Sequence, residues 1–275
     1  DAYYAAFRIP DFLFETLLVG ALSAALIPRF TKLRSEGRQE EAWTLINGLI
    51  NIFILILGIS ALIACVFAGP ITDALVPGFH AEKRDLTILF TRIILLSPII
   101  LGVSNIVSGV VQAEKAFLSY ALSPLFYNIG IIFGALLTPY FGTPLLPIGV
   151  LIGSLLHVVI QLPILIRCGF KFRFILPWRN EHVRRVLSLT LPRAMGLGAQ
   201  QIGMIVLTTI ASTLASGSLA VFTLALHVQS VPVGLLGVSV GMAAFPMLSA
   251  LAAKQDMAQF RHEFMRTTRL LITLL

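Results

Sequence analysis

Long apolar runs separated by short polar breaks divide the chain into stretches of membrane-crossing length. A bilayer-spanning helix needs about 20 mostly apolar residues. The runs at 3–30, 43–68, 86–112, 118–140, 145–167, 187–214 and 219–249 each meet that requirement, and an eighth opens near Arg269 and is cut at Leu275. The pattern predicts an all-α, polytopic membrane helix bundle. Prolines fall inside the runs (Pro10, Pro98, Pro124, Pro163, Pro192 and Pro232). Each removes a helical hydrogen bond and bends its helix. Kinked helices around a cavity suit a transporter better than a plain anchor, although Gly and Pro are common in membrane helices generally.

The polar breaks carry a second pattern. The stretches 29–41, 167–185 and 250–269 are rich in Lys and Arg, 113–117 carries Lys115, and 139–147 and 214–220 have no charge. In 69–85, Lys83 and Arg84 are offset by Asp73, Glu82 and Asp85. Basic and bare loops alternate as the positive-inside rule requires. The basic ones are therefore expected on the cytoplasmic side, with the first span running inward. Composition agrees: 57% of residues are hydrophobic and 12% charged, and the mean hydropathy is +0.92. A soluble domain is excluded. The net charge of +7 needs no nucleic acid as partner, because the basic residues sit where topology puts them. The aromatic and basic alternation of 170–185 accordingly reads as an interfacial segment facing membrane lipid headgroups.

The chain opens on Asp1, without an initiator Met, directly at a helix. Both ends read as cuts in a longer protein of transporter size. Cys65 and Cys168 fall near span ends on opposite sides of the membrane and are expected as small apolar fillers. A short repeat is visible in Ala-Leu-Ile-Pro at 25–28 and Ala-Ala-Phe-Pro at 243–246. It is what two equivalent halves of a repeat-built transporter would leave.

Charges inside spans demand an explanation. Arg8, Asp11 and Glu15 are spaced to share one helical face. They form either part of a polar substrate site or a self-neutralising pair at the interface with Arg8 snorkelling. Arg193 follows Pro192, and Gln200 continues its face, which favours a cavity over snorkelling. His227 is either interhelical glue or a group that binds phosphate or titrates. His157 and Gln161, together with Asn105, Gln112 and Asn128, read as interhelical hydrogen-bonding residues. No nucleophile–base set, P-loop, HExxH or nucleotide fingerprint occurs. The chain is therefore expected to be no enzyme, to carry no cofactor or metal, and to move its cargo on a gradient or by the substrate itself, with a monovalent coupling ion as one candidate.

The opening Asp1-Ala-Tyr-Tyr-Ala-Ala-Phe-Arg-Ile-Pro10, followed by Gly20-Ala-Leu-Ser-Ala-Ala-Leu-Ile-Pro28, resembles the second membrane helix of the MurJ/MviN lipid II flippases. Val76-Pro-Gly-Phe79, Pro124 with Asn128, Gln161-Leu-Pro163 and Leu214-Ala-Ser-Gly-Ser218 follow in the same order. The resemblance implies the multidrug/oligosaccharidyl-lipid/polysaccharide exporter superfamily, whose members are two-lobed alternating-access transporters of the bacterial inner membrane. It places 1–168 in the N-terminal lobe, 169–186 in a cytoplasmic connector and 187–275 at the start of the second lobe. The implied partner is a lipid-linked anionic substrate, undecaprenyl-diphosphate-linked sugar, moved to the outer leaflet. Another prenyl-diphosphate glycan and a non-transporting scaffold are the alternatives. Asp1 matches a family cavity charge. Family arginines align with Phe14, beside Glu15, and with His227, so Arg8, Arg193 and a protonated His227 are the cations left for a diphosphate. The expected substrate-binding set is Asp1, Arg8, Glu15, Arg193 and His227.

Overall fold

The computed structural model describes residues 1–16, 22–177, 180–241, 244, 247, 248, 251 and 256–274. All regular structure among them is helical. In chain order the helices are α1 (Ala2–Ala6), α2 (Arg8–Phe14), α3 (Leu22–Ser35), α4 (Gln39–Val66), α5 (Ala68–Leu75), α6 (Ala81–Ile94) and α7 (Ser97–Ala113). Then come α8 (Phe117–Phe141), α9 (Leu145–Val159), α10 (Leu162–Arg167), α11 (Glu181–Ser212), α12 (Ser218–Pro232), a π-helical segment (Val233–Val238) and α13 (Met257–Leu274).

Six stretches of the described residues are helical, long and apolar enough to cross a membrane: Gln39–Val66, Ala81–Ala113, Phe117–Phe141, Leu145–Arg167, Ala194–Ser212 and Ser218–Gly241. They correspond to the second to seventh expected runs. The first run is helical on both sides of 17–21, which lie outside the described residues. So do Ala243, Phe245 and Pro246 of the expected repeat. One boundary differs from expectation. The basic stretch 250–269 is not all loop, because α13 begins at Met257, twelve residues before Arg269. A helix with a charged face has low hydropathy and reads as a loop, yet Phe260 and Phe264 stack one turn apart on it, with centroids 6.3 Å apart.

The chain forms two compact units, Asp1–Ser216 and Gly217–Leu275. In the first, α3, α4 and α7 pack around Phe30, Leu45, Leu49, Ile52 and Val110, and Val183 and Val186 of α11 join that core. α8 is built the other way round. Its buried residues are Ser123, Gly130 and Gly134, while Leu136 and Phe133 stand 66% and 53% exposed. Lipid tails are as apolar as leucine, so nothing drives large side chains inward, and helices associate through small residues that let backbones approach. Gly130 and Gly134 face Gly153 and Gly149 of α9. A Cβ at Gly130 would lie 2.3 Å from the Gly153 backbone.

The prolines act where the chemistry places them. Pro98 follows the break at Leu95–Leu96 that separates α6 from α7, and Pro163 stands in the first turn of α10 after the break at Ile160–Gln161. Pro232 immediately precedes the π-helical segment. Each lacks the N–H that the preceding turn would use.

The connector is held by α4. Asn47 Nδ2 donates to the carbonyls of Trp43 (3.0 Å) and Lys171 (3.1 Å), and Asn47 Oδ1 accepts from Arg173 N–H (2.8 Å). Asn51 Nδ2 donates to the carbonyls of Arg173 (2.8 Å) and Ile175 (3.0 Å). Gly48 lies between them, where a Cβ would meet Pro177 at 2.5 Å. Phe172 and Phe174 remain 60% and 78% exposed, as an interfacial segment requires.

Candidate functional site

A cavity of about 330 Å³ opens in the first unit. α2 contributes Pro10, Asp11 and Phe14, with Glu15 just beyond its end. α7 contributes Ser97, Pro98 and Asn105, α8 Pro124 and Tyr127, and α9 His157. Three of the six span prolines thus border one space, which is the kinked-helix cavity expected from sequence. After Phe14 the helix widens into a π turn at Glu15 and Thr16.

The cavity carries acids without matching bases. Neither Asp11 nor Glu15 has a hydrogen-bond or ion-pair partner among the described residues. Arg8 acts on Asp11 only through longer-range Coulombic attraction. The Arg8 side chain is directed to α11, where its Nε donates to Thr208 Oγ1 at 2.7 Å. Arg8 itself is 8% exposed. The trio expected on one face therefore divides: Asp11 and Glu15 look into the cavity and Arg8 braces α2 against α11.

His157 is both an interhelical hydrogen-bonding residue, as expected, and a residue of the cavity lining. Ser104 Oγ accepts from Gln161 Nε2 (3.0 Å) and lies 2.6 Å from His157 Nδ1. The hydroxyl has one hydrogen and a second lone pair left, so it can serve either tautomer of the ring. Ser108 completes the set by donating to Gln161 Oε1 (2.9 Å). The network ties α7 to the α9–α10 break, with Gln161 fully buried, so the glue reading of Gln161 holds. Asn105 gives one Nδ2 hydrogen to the Leu101 carbonyl (3.0 Å), which leaves Oδ1 and a second N–H to serve the cavity.

The other expected site residues are dispersed. Asp1 immediately precedes α1 and pairs with Lys83, and only 5% of its side chain is exposed. Lys83 also reaches Ser216 (3.2 Å) and lies 4.4 Å from the Phe79 ring centroid. The Val76–Phe79 loop packs closely here, since a Cβ on Gly78 would meet the Ser212 carbonyl at 2.2 Å. Arg193 is on α11, with its side chain outside the described residues. His227 is an exposed residue of α12 in the second unit. The structure thus brings Glu15 together with Asp11, Asn105, Ser97 and His157, and does not place Asp1 or Arg8 among the cavity-lining residues. The inward set was partly visible in sequence, in the Asp11–Glu15 spacing. The role of Ser97 had no signal there.

On the membrane's basic side a second polar cluster joins three helices. Arg29 of α3 donates through Nε to His182 Nδ1 (2.8 Å), and His182 Nε2 stands 3.3 Å from Glu41 Oε2 at the start of α4. Asn180 caps α11 by accepting from the N–H groups of His182 and Val183. At the opposite end Arg84 pairs with Asp73 and holds its carboxyl below the usual aspartate range.

Comparison with known proteins decides what kind of membrane bundle this is. Residues 1–275 match the family described as lipid II flippase MurJ. The chain belongs to the MurJ family. A lipid II flippase MurJ of Burkholderia cenocepacia is 26% identical over 274 residues, covering 94% of this chain and 52% of the relative. A probable lipid II flippase MurJ of Buchnera aphidicola is 29% identical over 254 residues, covering 90% and 50%. A solved structure, a lipid II flippase MurJ in an inward closed conformation, superposes with a TM-score of 0.79 at 26% identity, over 100% of this chain and 56% of its own. The chain spans about half the length of the curated MurJ relatives it matches. It is a multi-pass membrane protein of a transporter family of the bacterial inner membrane, not of an enzyme family.

Proposed function

We propose that this chain is part of a lipid II flippase, which carries an undecaprenyl-diphosphate-linked sugar from the inner to the outer leaflet by alternating access. The observation that carries the reading is the match of residues 1–275, the whole of this chain, to the MurJ family. The kinked, polar-lined cavity at membrane depth supports it. In this proposal 1–168 belongs to the N-terminal lobe, 169–186 is the connector and 187–275 opens the second lobe. The diphosphate is held by a cation, with Arg193 of the first unit and, as a separate candidate, His227 of the second, since Arg8 Nε is engaged by Thr208. Arg favours bidentate recognition of such a group. Asp1 serves as a positioning residue through Lys83. A monovalent coupling ion completes the scheme.

One observation favours the neighbouring reading, a flippase for a different prenyl-diphosphate glycan: the cavity side chains Asp11 and Glu15 are acids. The full-length gene, expressed in a bacterium depleted of its own lipid II flippase, separates the two. Restored exposure of precursor at the outer leaflet, lost in Arg193→Ala at equal membrane abundance, is the expected result. No exposure despite correct insertion moves the assignment to another glycan.

A further inference from the structure

The cavity holds more acceptors than the fold uses. Asp11 and Glu15 are four residues apart, a spacing that puts Cβ atoms about 5–6 Å from each other on a helix. Two carboxylates that close leave room for one nitrogen at charge-assisted hydrogen-bond distance from both, about 2.7–2.9 Å. Asn105 Oδ1 adds an acceptor with no protein donor among the described residues, while one of its two amide hydrogens goes to Leu101. Ser97 is an independent sign of a missing ligand. It is 4% exposed, lines the cavity, and its hydroxyl has no hydrogen-bond partner among the described residues. Polar groups without a protein partner are costly in apolar surroundings, and carboxylates without a directly bonded cation more so.

The geometry points to an ammonium-binding site: we propose that this cavity takes a primary amine, with its three N–H donors shared among Asp11, Glu15 and the Asn105 or Ser97 oxygen. An –NH₃⁺ group has three donors and no acceptor, which matches a pocket rich in acceptors. A compact metal site fits less well. Among the described residues no three His, Cys, Asp or Glu side chains are grouped to hold a metal ion, and about 330 Å³ is within the range of organic ligand sites. Phe14 and Tyr127 supply aromatic walls for an alkyl stem. The amine can arrive as a free organic cation or as part of the carried substrate. The second source rests on the flippase reading and the first does not.

The test uses the full-length protein in nanodiscs at pH 8, with butylammonium chloride as probe and 1-butanol at equal ionic strength as its uncharged counterpart. Butylammonium should raise the melting temperature saturably and butanol should not. Asp11→Asn and Glu15→Gln, which keep shape, should each weaken the amine effect about tenfold, the scale of one lost charge-assisted hydrogen bond. Ser97→Ala should weaken it less. A second arm compares a lipid-linked precursor bearing a free primary amine with its N-acetylated form by native mass spectrometry. Tighter binding of the free-amine form in the parent protein, but not in the double variant, assigns the site to cargo. Equal binding of both forms, with butylammonium still stabilising, assigns it to a free cation. If neither precursor binds, the flippase reading fails while the amine site stands. If butylammonium and butanol act alike and acetylation changes nothing, the ammonium site is refuted.

Discussion

Gly153 gives the sharpest test of how the membrane-embedded bundle is held together. A Cβ there would stand 2.3 Å from the Tyr127 carbonyl oxygen and 3.2 Å from its Cδ2, where ordinary contact starts at 3.4 Å. Gly153→Ala therefore forces α9 back from α8 by about 1 Å. Overpacking of a tight contact costs roughly 1–3 kcal/mol. Against this, replacing Gly by Ala in a helix interior gains about 1 kcal/mol, so the two effects oppose and the sign is informative. Gly203 on α11 is the control, since nothing lies within 4 Å of its Cβ position. For 150–250 residues 1 kcal/mol moves Tm by about 2–4 °C, an upper bound for the longer full-length protein. In detergent-solubilised full-length protein, Gly203→Ala should hold or raise Tm by up to about 4 °C, whereas Gly153→Ala should lower it by up to about 8 °C. The displaced helix also carries His157, one turn on, so substrate binding should fall as the cavity wall shifts. A Gly153→Ala protein as stable as Gly203→Ala would refute the account of α8–α9 packing.

Two further outcomes follow from the polar networks. Asn47→Ala with Asn51→Ala removes the donors that hold the connector carbonyls, and limited proteolysis within 170–177 should then quicken several-fold while the remaining chain stays resistant. Gln161→Leu strands buried Ser104 and Ser108 and should destabilise by roughly 1–3 kcal/mol, read as a lowered Tm. Gln161→Glu, which keeps an acceptor for Ser108, should show the smaller defect only below the pH at which the new carboxyl ionises.

Much of the architecture was legible because the membrane imposes it. Six apolar runs became membrane-length helices at nearly the expected places, since a 20-residue apolar stretch has few other options in lipid. Pro98 and Pro163 marked real breaks. The site was less legible, because side-chain reach decides it. Arg8 shares a face with Asp11 by spacing, yet its long side chain finds Thr208, two hundred residues on, and periodicity carries no information about that partner. His157 was readable as glue, but its bond to Ser104 and its place at the cavity depend on how α7 and α9 cross. The start of α13 was hidden because charge on one helical face mimics a loop.

The connector's grip on α4 has a metrical consequence. Asn47 and Asn51 are one turn apart, a rise of about 6 Å. The groups they hold move on by two residues, from Lys171 and Arg173 to Arg173 and Ile175, about 6.6 Å of extended chain. Helix and strap are thus nearly commensurate, and the helix acts as a ruler. One inserted residue would turn the carbonyl meant for Asn51 to the opposite side, whereas two would restore the phase. The length of this segment is fixed in steps of two, although it has no strand partner and little regular structure of its own.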